Sequence, residues 1–133
     1  MIEFGAVELS QQLLVIINAG IAALLGSAIG WERDRAGKSV GPRTMALVGA
    51  SAAAIVNIGQ ILDVNAKFGD PTRAMHAIIT GIGFLGAGLI FQTRDSGTKG
   101  VTTAATVFAT AAMGCAVGLG FQVASVEIGR AHV

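Results

Sequence analysis

Residues 11–31, QQLLVIINAGIAALLGSAIGW, run for twenty-one positions without a charged side chain. The overlapping stretch 30–44, GWERDRAGKSVGPRT, then carries six charges in fifteen residues: Glu32, Arg33, Asp34, Arg35, Lys38 and Arg43. A helix needs about 20 mostly apolar residues to cross roughly 30 Å of hydrocarbon. A helix on a soluble core would show a polar face every third or fourth residue, which this run does not. It reads as a transmembrane helix that ends in a charged rim.

The composition agrees. Of 133 residues, 53% are hydrophobic and 13% charged, with 19 glycines and no tyrosine. Soluble domains carry about a quarter charged residues. The net charge of +1, without a basic stripe, gives no reason to expect nucleic acid. The single cysteine, Cys115, cannot form an intrachain disulfide. The first ten residues hold Glu3 and Glu8 and no Lys or Arg, the reverse of a signal-peptide n-region.

Three further apolar runs follow, so the helices are expected at about 11–31, 44–62, 76–91 and 101–126, in one transmembrane domain covering residues 1–133. Lys and Arg set the orientation. The loop between helices 1 and 2 holds Arg33, Arg35, Lys38 and Arg43, and the loop between helices 3 and 4 holds Arg94 and Lys99. The opposite side has Lys67, Arg73 and Arg130. The amino terminus is therefore expected outside, with both basic loops in the cytoplasm.

The sequence also repeats. GPRTMALVGASAA (41–53) aligns with GVTTAATVFATAA (100–112), and GIAALLGSAIGWERD (20–34) with GIGFLGAGLIFQTRD (81–95). Arg33 and Asp34 fall over Arg94 and Asp95, and Gly41 and Thr44 over Gly100 and Thr103. We read the chain as an all-α integral membrane protein, a tandem, parallel duplication of a helical hairpin. Both polar corners then meet at the cytoplasmic rim. Glu32 aligns with Thr93 and has no acidic counterpart.

Helices in lipid associate through close packing and interhelical hydrogen bonds. Gly26, Gly30, Gly81, Gly83, Gly86, Gly88, Gly114 and Gly118 are the expected packing positions, and small residues on several faces suit a homo-oligomer. Asn57 and Gln60 read as interhelical hydrogen-bonding groups, with a water or ion path as the second reading. At the charged corner, Arg33 suits the negative end of helix 1 but Glu32 does not. Its expected partners are Arg43, Lys99 or the free N–H groups of helices 2 and 4. Thr44, Thr102 and Thr103 bring hydroxyls to those positive helix ends. Two readings stay open for this corner: an internal ion-pair and capping network, or an anion or Mg²⁺ site with Glu32, Asp34 and Asp95 as candidate ligands. No catalytic Ser/His/Asp, Cys/His or zinc-spaced set is visible, so no enzyme and no cofactor other than Mg²⁺ is expected.

GxERDxxGKxxGxRTxxLV (30–48), TGIGFLGAGLI (80–90) and GVTTAATVFATAAMGCAVGLG (100–120), in that order, resemble the MgtC/SapB family of bacterial inner-membrane proteins. The resemblance implies a multi-pass inner-membrane protein linked to magnesium homeostasis and survival in low magnesium, and in some members to virulence. It implies action mainly as a regulator through other membrane proteins, ATP synthase among them, with Mg²⁺ transport as the alternative. Surrounding lipid is the remaining expected partner. Family members usually continue into a fifth helix, and many into a cytoplasmic domain, whereas this sequence reaches Val133 with four apolar runs. The motif positions carried over include Glu32, Arg33, Lys38, Arg43, Thr44, Thr102 and Thr103.

Overall fold

The computed structural model describes residues 7–66, 70–92 and 98–131, the side chains of 65, 66, 92, 98 and 99 excepted. Among the described residues there are five helices: α1 (Leu9–Arg35), α2 (Pro42–Ala66), α3 (Pro71–Gln92), α4 (Thr98–Gly118) and α5 (Gln122–Arg130). The first four are long and apolar enough to cross a membrane. At 1.5 Å per residue, the 27 residues of α1 span about 40 Å, so its charged end projects beyond the hydrocarbon.

The helix ends follow local chemistry. Gly37, at φ +65, closes α1 in a left-handed cap. Its N–H donates to the Asp34 carbonyl at 3.0 Å, and the Lys38 N–H to the Arg33 carbonyl at 2.9 Å. This paired arrangement satisfies carbonyls that a helix end leaves free. Pro42 opens α2 and Pro71 opens α3, each in the first turn, where a missing N–H costs nothing. Asp70 caps α3 by accepting from the Thr72 N–H at 2.9 Å and from the Thr72 hydroxyl. The helix accordingly starts five residues before the apolar run at 76.

The fourth predicted helix is corrected. Instead of running over 101–126, α4 stops at Gly118, and Gly120, at φ +89, repeats the left-handed cap. There the Phe121 N–H donates to the Ala116 carbonyl at 2.8 Å and the Gly120 N–H to Val117 at 3.0 Å. Only glycine adopts this conformation without cost, so the chain reverses into α5. α5 lies back along α1. Gln122 reaches Asn18, and Val126, Gly129 and Arg130 share a crevice with Leu25, Ala28 and Ile29. Arg130 is therefore not at the rim opposite the charged corner, where the sequence reading places it, but beside the half of α1 that leads to that corner.

α4 is the hub and touches all four other helices. Half of its apolar window is buried, against 11% of that of α3, which lies at the edge of the bundle. The core joins Met45, Ala52, Ile82, Val107 and Ala111, with a second cluster of Ala22, Ala53 and Val117.

The glycines divide sharply. A Cβ on Gly26 would overlap the Met45 carbonyl, one on Gly30 the backbone of Gly41 and Pro42, one on Gly114 the Gly49 carbonyl, and one on Gly118 would lie 2.6 Å from the Ala53 oxygen. These four join α1 to α2 and α2 to α4 backbone to backbone, as small residues permit. Gly49, not singled out from sequence, does the same against the Ala22 oxygen. On α3 the glycines make no such backbone contact within the chain. A Cβ on Gly81, Gly83 or Gly88 would meet nothing within 4 Å, and one on Gly86 only ordinary contact with Ala104 at 3.5 Å. α3 turns a single seam to the bundle, through Ile82, Gly86 and Leu89, and its other glycines face outward. The two hairpins that the repeat pairs are thus packed differently, α1–α2 by glycine contact and α3–α4 through side chains.

Candidate functional site

The charged corner is organised by Arg33. Its relative exposure is 5%, although it lies in the last turn of α1. The guanidinium turns inward to α4, where Nη1 donates to Thr106 Oγ1 at 2.9 Å and Nη2 to Thr103 Oγ1 at 2.6 Å. Thr103 and Thr106 stand three residues apart, on one face of a helix. The planar fork of arginine matches such a pair of acceptors; a lysine ammonium does not. Nη2 also reaches the Ser39 carbonyl at 3.5 Å, and Nε is buried without a partner. Among the described residues no carboxylate lies within 4 Å of this cation.

The turn beyond α1 is shaped around this contact. Val40 adopts φ +67, a conformation that costs a β-branched residue about 1–2 kcal/mol. Its side chain packs on the Met45 cluster, while the neighbouring Ser39 presents its carbonyl to Arg33 and its hydroxyl to Thr103 at 3.4 Å. Behind the clamp, the Thr106 and Thr110 hydroxyls bond back to the carbonyls of Thr102 and Thr106, both at 2.9 Å.

The other predicted corner residues do not converge here. Lys38, Arg43, Thr44 and Thr102 are exposed. Glu32 is half-buried and lines a crevice of about 820 Å³ with Ser27, Ala28, Trp31, Arg35 and Ala36. Among the described residues it forms neither the ion pair with Arg43 nor the helix-end hydrogen bonds expected of it. Asp34 is exposed and faces the Gly41 backbone instead. Two positions apart on a helix, Glu32 and Asp34 point about 200° apart. Glu32 and Asp34, two of the three candidate Mg²⁺ ligands, therefore point apart on α1. Arg94, Asp95 and the Lys99 side chain lie outside the described residues. Among those described, no three His, Cys, Asp or Glu side chains come close enough to hold a metal ion.

A second polar cluster lies at the level of the α4–α5 turn. Asn18 Nδ2 donates to Asn57 Oδ1 at 3.1 Å, and Asn57 Nδ2 donates to the Gly118 carbonyl at 3.0 Å and to Gln60 Oε1 at 3.4 Å. Gln122 Nε2 donates to Asn18 Oδ1 at 3.5 Å. Four helices are tied by amides, and a carbonyl left over where α4 ends is satisfied. Asn57 fills the interhelical role expected of it, whereas Gln60 accepts from Asn57 on its own helix. Asn18 was missed, and its signal is an amide in the middle of a charge-free run, which in lipid calls for a partner.

With this geometry in view, the relatives become informative. Residues 20–131 match the MgtC family. SapB of Bacillus subtilis is 33% identical over 116 residues, covering 80% of this chain and 49% of that protein. A protein of Escherichia coli K12 named "Putative magnesium transporter YhiD" is 37% identical over 110 residues, covering 79% of this chain and 51% of that one. MgtC of Brucella abortus is 40% identical over 99 residues, covering 74% and 40%. The chain spans about half the length of these curated relatives. No solved structure matches it. The chain belongs to the MgtC family, and it is a multi-pass membrane protein by its four spanning helices.

Proposed function

We propose that this member of the MgtC family serves magnesium homeostasis from the bacterial inner membrane, acting as a regulator through contacts with other membrane proteins. Its amino terminus lies outside and its α1–α2 turn in the cytoplasm, following the Lys and Arg count. The magnesium link rests on family membership and on the name that YhiD carries.

One observation favours regulation over transport. The buried polar side chains among the described residues are Asn18, Arg33, Asn57, Thr103, Thr106, Thr110 and Ser125, and none is an acid. Membrane paths for cations use carboxylates that face the bundle interior. Here the amides bond to one another, and the cytoplasmic end of the α1–α4 seam holds an enclosed guanidinium that repels a divalent cation. The second reading, transport of Mg²⁺, has the amide cluster as its specific support. That cluster is a polar layer joining four helices among the described residues.

The two readings part in cells that lack their own family member. Regulation predicts that the chain restores growth in limiting Mg²⁺ while the initial rate of Mg²⁺ uptake stays at the value of the deficient cells. Growth restored in proportion to uptake would overturn it.

A further inference from the structure

At the end opposite the charged corner, the helices finish at different levels. A Cβ on Gly118, the last residue of α4, would lie 2.6 Å from the Ala53 oxygen, and the apolar run of α2 continues beyond Ala53 to Leu62. A Cβ on Gly59 would lie 3.5 Å from the Pro71 Cα, so α3 enters about 5 Å inside Leu62. On α1, Leu13, Leu14, Ile16 and Ile17 are exposed and extend the apolar run about 8 Å past Asn18. The runs of α1 and α2 thus rise past the amide layer, whereas α3, α4 and α5 begin or end beside it. Those ends carry groups that hydrocarbon leaves unsatisfied. Phe121, the N-cap of α5, offers no side-chain hydrogen bond, and the first α5 amide to find a carbonyl is that of Ser125, on Phe121 at 3.1 Å. The N–H groups of Gln122, Val123 and Ala124 have no partner among the described residues, and all three residues are exposed. Gln60 Nε2 donates to nothing among the described residues and is not buried. Asp70 and Arg73, both exposed, stand at the entrance of α3. Within a membrane, free backbone groups and ionisable side chains face protein or water, never lipid.

We propose that this rim is sunk over α3, α4 and α5 into a basin filled by water, with the Asn18–Asn57–Gln60–Gln122 layer as its floor. The groups to be satisfied select water as the occupant. They are backbone donors at the start of α5, a side-chain amide on α2, and an acid and a base on α3. They belong to three elements and include both signs of charge, so small molecules that both donate and accept reach each of them in place. The Asp70 carboxylate already caps its own helix and the amides bond one another, so no unsatisfied charge calls for a counter-ion. The basin is blind. One turn beyond Asn18 and Asn57 towards the charged corner, Ala22 and Ala53 meet Val117, and none of the three has exposed surface. Water thus reaches the amide layer from one side and stops there. This holds independently of which face of the membrane that side is.

The test uses the full chain in native membranes, with Cys115→Ala as background and a charged, membrane-impermeant thiol reagent. Asp63→Cys, just past the apolar run of α2, sets the rate for the open rim. Gln122→Cys and Arg73→Cys should react within about tenfold of that rate. Ile17→Cys, level with the amides but on the exposed face of α1, should react at under about a hundredth of it, because a thiol in apolar surroundings stays protonated. Gln122→Cys as slow as Ile17→Cys would overturn the proposal and put lipid or protein over the turn. Ile17→Cys as fast as Gln122→Cys would overturn it too, since the ends of α1 and α2 would then stand free in water with no basin beside them. The unaltered chain in bilayers supplies a second reading that no substitution disturbs. The Gln122, Val123 and Ala124 amides should exchange hydrogen at close to their intrinsic rates, and protection equal to that of the Ala22 amide would overturn the basin.

Discussion

Gly114 sits where α4 crosses α2, with no room for a side chain. A Cβ there would overlap the Gly49 carbonyl oxygen, lie 3.1 Å from its carbon and lie 2.9 Å from the Ala52 Cβ. Real Cβ contacts essentially never fall below 3.0 Å, so Gly114→Ala must push the helices apart. Both neighbours are fixed: one is helix backbone and the other a side chain with no rotamer to change. Overpacking of a filled core costs about 1–3 kcal/mol, and separating two backbones belongs at the upper end. Alanine also has a higher helix propensity than glycine, by up to about 1 kcal/mol in water, and this gain is common to any Gly→Ala change in a helix. Gly88→Ala on α3 measures that shared part, since its Cβ would meet nothing. Equilibrium unfolding of the purified protein in mixed micelles should therefore show Gly114→Ala below Gly88→Ala by about 2–3 kcal/mol. Equal stability of the two variants would refute backbone contact as what joins α2 to α4.

Arg33→Lys keeps the charge but can serve only one of Thr103 and Thr106 well. It should lower unfolding stability by about 1–2 kcal/mol, and a variant as stable as the parent would remove the fork from the account. At the other rim, the Thr72 hydroxyl, together with the N–H groups of Thr72 and Arg73, holds the Asp70 carboxyl below the ordinary carboxylate range. Its capping contribution is thus present above the unfolded value of about 3.9 and lost as the pH falls below that through the folded value. Protection of the Thr72 and Arg73 amides, taken against the intrinsic exchange rate at each pH, should fall over that window and be absent at every pH in Asp70→Ala. Cysteine introduced at Lys38 should react with impermeant reagents from the cytoplasmic face only, and reaction from outside would reverse the topology.

The spanning helices were legible because lipid demands long charge-free runs, whereas Asp70–Pro71, which starts α3 five residues before the apolar run at 76, was not read. The break at Gly120 was not read. Leu119 and Phe121 continue the apolar pattern, and a glycine in lipid serves equally as packing surface or as turn. The same ambiguity explains α3. Gly81, Gly83 and Gly88 resemble Gly26 and Gly114 in sequence, and only the edge position of α3 in the bundle separates them. Arg33 is the plainest case of a long-range cause. As one of several basic residues at a helix exit it reads as a rim charge, and its acceptors, Thr103 and Thr106, lie seventy and seventy-three positions away.

Under the regulatory reading proposed above, the polar interior of this bundle holds helices together and passes no ions. Mg²⁺ entry into proteoliposomes carrying the folded chain, read with an enclosed Mg²⁺-sensitive dye, tests it most directly. Entry should be no faster than in empty vesicles, for the parent chain and for Glu32→Gln alike. Selective Mg²⁺ entry by the parent that is lost in Asn57→Leu or Glu32→Gln would contradict it and make the amide cluster or the Glu32 crevice part of a path.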